Sequence, residues 1–176
     1  MSGAQIPNGD GEAEGRMTEG RMIGWNDTVR FRLPPNWAAE VEEHEGQPVA
    51  TFRPPPPAGG TLRLVTDRVT PKPDSGGVAG TLQEMALRFV RPHDQRAGDR
   101  TVEARPDGGV IAQAMMRTDE EGRAETHYLW LIGADRDGVA AVAMFSVALP
   151  AILDGDESCA AMLGDIDDAI RAARIL

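Results

Sequence analysis

The chain has three histidines, His44, His93 and His127, and they lie in three different segments. None has a second histidine two or four residues away, and no cysteine is near. Zinc needs three or four converging ligands, and this spacing advertises none, so ordinary surface or edge histidine is the reading it supports. Cys159 is the only cysteine and sits near the start of an expected helix, where a thiolate would be stabilised. Asp156 and Glu157 oppose that charge, which favours a small helix residue over a nucleophile. Ser75, Ser146 and Ser158 occupy no Gly-x-Ser-x-Gly elbow, and Ser146 lies in an apolar run that should be buried.

Acidic residues group at Asp154, Asp156 and Glu157, then at Asp165, Asp167 and Asp168, and again at Asp135 and Asp137. None follows the alternating ladder ending in glutamate that a calcium loop of the EF-hand type requires. Helix capping and a solvated helix face account for the first two groups, and a hairpin turn for the third. Gly76, Gly77 and Gly80 precede a helix without the Lys-Ser/Thr pair of a phosphate loop. A weak anion site at that helix start is all they leave open. No catalytic, cofactor or metal site is therefore expected, and the chain reads as a non-enzyme. Three tryptophans remain. Trp130 lies in an apolar strand and belongs in the core. Trp25 and Trp37 flank the first clear strand, where each ring either caps the core or contacts a partner.

Composition narrows the function classes. The net charge is −10, with 28 acidic against 18 basic residues. A nucleic-acid partner is disfavoured because phosphate binding needs a concentrated basic face. Anionic membranes are disfavoured by the same repulsion, and no run approaches the ~20 apolar residues of a membrane helix. A single cysteine suits a reducing compartment, and the start of the chain lacks the basic-then-apolar pattern of a signal peptide. A cytoplasmic location is expected. Lys72 is the only lysine among many arginines, a usage that suits a GC-rich bacterial genome. Residues 1–24 are too polar and glycine-rich to fold and read as a disordered tail. Residues 25–176 are one domain, large enough to bury a core without disulfides.

The elements follow from the pattern. Val29, Phe31 and Leu33 alternate with Arg30 and Arg32 in a strand that Pro34 and Pro35 end. Strands are expected over 37–44, where the glutamates around Val41 decide against a helical turn, over 49–52 and over 61–69. A helix is expected from Thr81, with a capping box to Glu84, to Arg91. Leu82, Met85, Ala86 and Phe89 form its apolar stripe. Four β-rich runs then follow, separated by Pro106-Asp107-Gly108-Gly109, Asp119-Glu120-Glu121-Gly122 and Asp135-Arg136-Asp137-Gly138, an antiparallel meander. The last two runs are apolar on both faces, as strands covered on both sides are. A helix over 157–174 closes the chain. The expected class is α+β: a mostly antiparallel sheet of about six to eight strands with helices on its faces, an α/β/α sandwich.

A strand ending in FRLPPNW, a hairpin, a helix, a meander containing HYLWLIG and an amphipathic final helix resemble the PsbP/Mog-type fold, with the bacterial DcrB-like proteins nearest. The resemblance spans about Trp25 to Leu176. It implies a mostly non-catalytic family: a Ran-GTPase-binding protein, a photosystem II accessory subunit, envelope lipoproteins and chaperones of secreted effectors. It carries over no site residue. The function it implies is a protein-binding, chaperone-like or adaptor module. The alternative is a small-molecule-binding protein or an atypical hydrolase with a pocket between sheet and helix. A homodimer is left open.

Overall fold

A computed structural model describes residues 20–176. It holds ten strands and two helices: β1 (Arg21–Trp25), β2 (Val29–Leu33), β3 (Ala38–His44), β4 (Gln47–Arg53), β5 (Leu62–Val69), α1 (Gly77–Phe89), β6 (Ala97–Ala104), β7 (Val110–Glu120), β8 (Arg123–Arg136), β9 (Val139–Pro150), α2 (Glu157–Arg171) and β10 (Arg174–Ile175). Seven strands form one sheet in the order β3-β4-β5-β9-β8-β7-β6, and β1-β2-β10 form a second, smaller one. Every pairing is antiparallel. The class is the expected α+β sandwich, with one layer mixed. α2 and the small sheet together cover one face of the large sheet, and α1 lies on the other.

The turns are written in the sequence. Glu45-Gly46, Glu121-Gly122 and Asp137-Gly138 each place two successive residues at positive φ, between 51° and 80°. Each joins directly paired strand ends, His44 to Gln47, Glu120 to Arg123 and Arg136 to Val139. This is the two-residue turn whose twist matches the strands. Asp119 Oδ1 accepts the Gly122 N–H at 3.1 Å and Asp135 Oδ1 accepts the Gly138 N–H at 3.0 Å. Those carboxylates hold turns, which is the reading given to Asp135 and Asp137.

Strand period then sorts side chains between the faces. On β8, Trp130 and Ile132 enter the larger core beneath α2 and the small sheet, while Leu131 enters the core beneath α1. Phe31 on β2 meets Phe52 and Phe145 edge-on, with centroids 5.5 and 5.4 Å apart, a favoured arrangement of ring quadrupoles. The small sheet is thereby keyed onto the large one.

Several boundaries differ from expectation. β1 occupies residues read as the end of a tail; the rest of that segment, residues 1–19, lies outside the described residues. Asn26 and Asp27, at φ 49° and 47°, turn β1 into β2. The strand at Val29–Leu33 pairs with β1 and β10, not with the large sheet. α1 starts at Gly77, so Thr81 is no cap: its hydroxyl donates to the Gly77 carbonyl at 2.9 Å, inside the helix, and the Gly76 N-cap supplies no side chain. Glu84 pairs with Arg88 instead. α1 ends at Phe89, with Arg91 at φ 48° before Pro92, because a left-handed residue and a proline both stop a helix. β6 begins at Ala97, within a segment read as loop. α2 ends at Arg171, and Arg174–Ile175 leaves it to pair with β2.

Candidate functional site

The two helices cover their faces unequally. Strands lie about 4.8 Å apart and a helix is about 10 Å across, so one helix spans two or three strands. α1 packs on β7, β8 and β9. The same face over β3, β4 and β5, and over the far ends of β8 and β9, carries no helix. On that bare half, Val49 is buried, while Val65, Phe89, Leu129, Met144 and Ser146 are half-buried. They line a hollow of about 460 Å³ with Glu42, His44 and Arg63 at its rim.

The registers place these groups. Leu129 pairs with Ser146, Ser146 with Arg63 and Arg63 with Thr51, forming one row across β8, β9, β5 and β4. Two residues along the strands, Leu131, Met144 and Val65 form a second row. An apolar row thus runs beside a row ending in a hydroxyl and a guanidinium. Arg53 Nη2 donates to Glu42 Oε1 at 2.8 Å, and Arg53 also binds Glu40. Among the described residues, the Arg63 guanidinium has no hydrogen bond or ion pair.

The residues singled out for chemistry are not brought together. His44 borders this hollow, His93 borders an open groove along the outer side of α1 (about 1060 Å³), and His127 borders another on the β7–β8 hairpin (about 750 Å³). In the α1 groove, hydrogen bonds from Arg96 hold the Asp94 carboxyl down at about 2. His127 does have hydroxyl and carboxylate neighbours. Thr118 Oγ1 is 3.0 Å from Nε2, but Glu125 Oε2 is 3.6 Å from that same nitrogen. A relay needs the carboxylate on the opposite ring nitrogen from the hydroxyl, so the trio is not arranged as one. Cys159 is buried, and burial together with the adjacent Asp156 pushes its thiol up. Asp156 is instead the N-cap of α2, accepting the Cys159 N–H at 2.9 Å.

The acidic residues near α2 fasten the chain. Asp154 accepts from Thr126 Oγ1 at 2.9 Å, Arg117 Nη2 at 3.1 Å and Tyr128 OH at 3.3 Å. Asp167 accepts from Trp130 Nε1 at 2.9 Å and Arg171 Nε at 2.8 Å. Arg105 and Arg136 hold the carbonyls of Ala173 and Ile175. No group of three or more His, Cys, Asp or Glu side chains is placed to hold a metal ion among the described residues. Gly80 is explained by packing, since a Cβ there would meet the Ser75 carbonyl oxygen at 1.8 Å.

Trp25 and Trp37, the residues weighed as partner contacts, are 2% and 8% exposed in the larger core. So little free ring area gives a partner little to contact. Val65, Leu129 and Met144 on the open face were not singled out in the sequence. The signal was available in strands 62–69 and 123–136, where Val65 and Leu129 fall on the face shared with Arg63 and His127.

No family model matches the chain, and no curated protein does. Solved structures do. The chain matches cyanobacterial PsbP (CyanoP) of Synechocystis with a TM-score of 0.57 at 13% identity, over 95% of this chain and 99% of that one. The fold is PsbP-like. LpqN of Mycobacterium tuberculosis, involved in cell envelope biogenesis, matches at TM-score 0.56 and 15% identity, over 89% of this chain and 84% of LpqN. A Bacteroides thetaiotaomicron protein matches at TM-score 0.59 and 17% identity, over 90% of this chain. The chain spans about half, 49%, of that protein's length. Within the PsbP-like fold, the bare half-sheet carries the hollow of about 460 Å³ lined by this chain's own residues. No helix of the described residues is long and apolar enough to cross a membrane.

Proposed function

We propose that the chain is a non-catalytic binding module that docks a protein partner on the bare half of the large sheet. The observation that carries this reading is the partly exposed apolar set Val65, Phe89, Leu129 and Met144, ringed by Glu42, His44 and Arg63. An apolar centre with a polar rim is the anatomy of a docking surface. Kinship to DcrB-like proteins and effector chaperones is part of the same proposal, as is a cytoplasmic location. The cell-envelope role of LpqN points elsewhere on location, and cell fractionation decides between them.

The test is capture from the native cell with the wild-type chain and with Leu129→Glu, each checked for folding by circular dichroism. A partner retained by the wild type and lost by the folded variant supports the proposal. No reproducible partner, or one retained equally by the variant, overturns it.

A further inference from the structure

We infer that the hollow on the bare half-sheet is a binding site for a small amphipathic monocarboxylate, a ligand with an apolar body and one carboxylate. Its volume of about 460 Å³ lies in the usual range of small-molecule pockets, about 300–1,000 Å³. The ligand class follows from the two rows. Met144 and Val65 face each other across β9 and β5, with Leu129 and Phe89 beside them; these take the apolar body. Ser146 and Arg63 are direct cross-strand partners, so their side chains stand about 5 Å apart at Cβ. A hydroxyl donor and a guanidinium side by side suit the two oxygens of one carboxylate.

The charges limit the ligand further. Glu42, the carboxylate whose side chain shares the hollow, is already engaged by Arg53, which leaves Arg63 as the spare cation. Glu43 also borders the hollow, but it is on the opposite parity of β3, so its side chain leaves toward the other face. With Glu40 and Glu42 nearby, a polyanion such as a phosphate ester meets more repulsion than a single negative charge does. An uncharged body would leave Arg63 half-desolvated with nothing gained.

This inference goes beyond protein docking and is tested without any partner. Octanoate is titrated into the chain labelled with nitrogen-15, and amide shifts are followed by NMR. The expected result is saturable shifts at Val65, Leu129, Met144 and Ser146. Arg63→Gln weakens binding by at least about tenfold, the loss of a charge-assisted hydrogen bond, and octanamide binds the wild type as weakly. Arg63 is exposed, so the variant keeps its spectrum away from the hollow. Ser146→Val, which retains strand shape, gives a smaller loss in the same direction. Shifts scattered over other surfaces, no shifts at millimolar octanoate, or an unchanged affinity in Arg63→Gln each overturn the inference. Loss of octanoate binding leaves the docking proposal standing, because partner capture is measured separately.

Discussion

Gly133, near the C-terminal end of β8, decides how closely α1 approaches the sheet, and Gly133→Ala tests that seat. A Cβ there would lie 2.6 Å from Leu82 Cδ2, 2.9 Å from Val142 Cγ1 and 3.3 Å from the Ala141 carbonyl oxygen. Apolar carbons rest at about 3.5–4.0 Å, so the methyl is roughly 1 Å too close to two side chains. Leu82 is 5% exposed and Val142 is fully buried, so neither has free space to yield into. Overpacking of this kind costs about 1–3 kcal/mol. Removing a strand glycine returns about 0.5–1 kcal/mol. The expected net loss is about 1–2 kcal/mol, or roughly 2–8 °C in unfolding midpoint at about 2–4 °C per kcal/mol. Urea and thermal unfolding followed by both circular dichroism and tryptophan fluorescence measure it, and coincident curves license the comparison. Leu82→Ala alone costs about 2–5 kcal/mol. In the double variant the new methyl occupies part of the space Leu82 vacates, so Gly133→Ala becomes neutral or stabilising, a coupling of about 0.5–3 kcal/mol. A single variant as stable as the wild type, or strict additivity in the double, would refute the reasoning. α1 would then not rest on Gly133, and the edge of the bare half-sheet would lie elsewhere.

Trp37→Ala removes a buried ring of the larger core and is expected to cost about 3–5 kcal/mol in urea unfolding; a cost below 1 kcal/mol would mean the ring is not packed as described. Tyr128, the only tyrosine, is raised above its ordinary value by burial first and by Asp154 second. Tyrosinate absorbance therefore titrates above the free value, and Asp154→Asn lowers that midpoint without restoring it fully. The sign follows: unfolded tyrosine loses its proton first, so the contribution of Tyr128 to stability is complete below pH 10.0 and declines as pH rises through the folded value. Cys159 is expected to resist thiol reagents in the folded chain and to react fully in denaturant, since its thiolate is disfavoured by burial. Asp156→Ala removes the α2 cap and should cost about 1 kcal/mol.

What was legible in the sequence is what local chemistry writes. Alternation announced Val29–Leu33, and Asp and Gly pairs announced the meander, because left-handed turn residues are a short list. α1 was placed four residues late because its first turn contains Gly77 and Gly80, poor helix formers that tertiary packing requires: Gly80 lies against the Ser75 carbonyl. β10 is two residues long, and nothing in Arg174–Ile175 alone distinguishes it from another helical turn. It is set by pairing with β2 and by Arg136 on the Ile175 carbonyl. The separate small sheet was hidden for the same reason, since which strands pair is a long-range fact. The aromatic residues drew attention as binding candidates, yet large rings are where a core gains most area. The hollow's residues were not grouped because they come from five strands and one helix end.

The bare half of the sheet is specified by side-chain size. Under α1 the sheet presents Ala112 and Ala114 on β7, Gly133 on β8 and Ala140 on β9, small residues set among Val110, Leu131 and Val142, and these small positions let the helix come close. Further along the same face the residues grow: Met116 on β7, Leu129 on β8, Met144 on β9. A helix sliding that way would ride up on those side chains and lose the close contact of Ala86, which is fully buried on the small patch. It would also withdraw Leu82 from the space beside Gly133. α1 is therefore held at one end by shape, and the larger side chains beyond it remain partly exposed although they are apolar. A polar replacement at Leu129, which is partly exposed, would cost the fold less than one at Met144, which packs against the core beneath α1, and either would remove part of the apolar floor of the hollow. Stability and the proposed binding thus separate along a single strand, with Leu131 serving the core and Leu129, two residues away, lining the hollow.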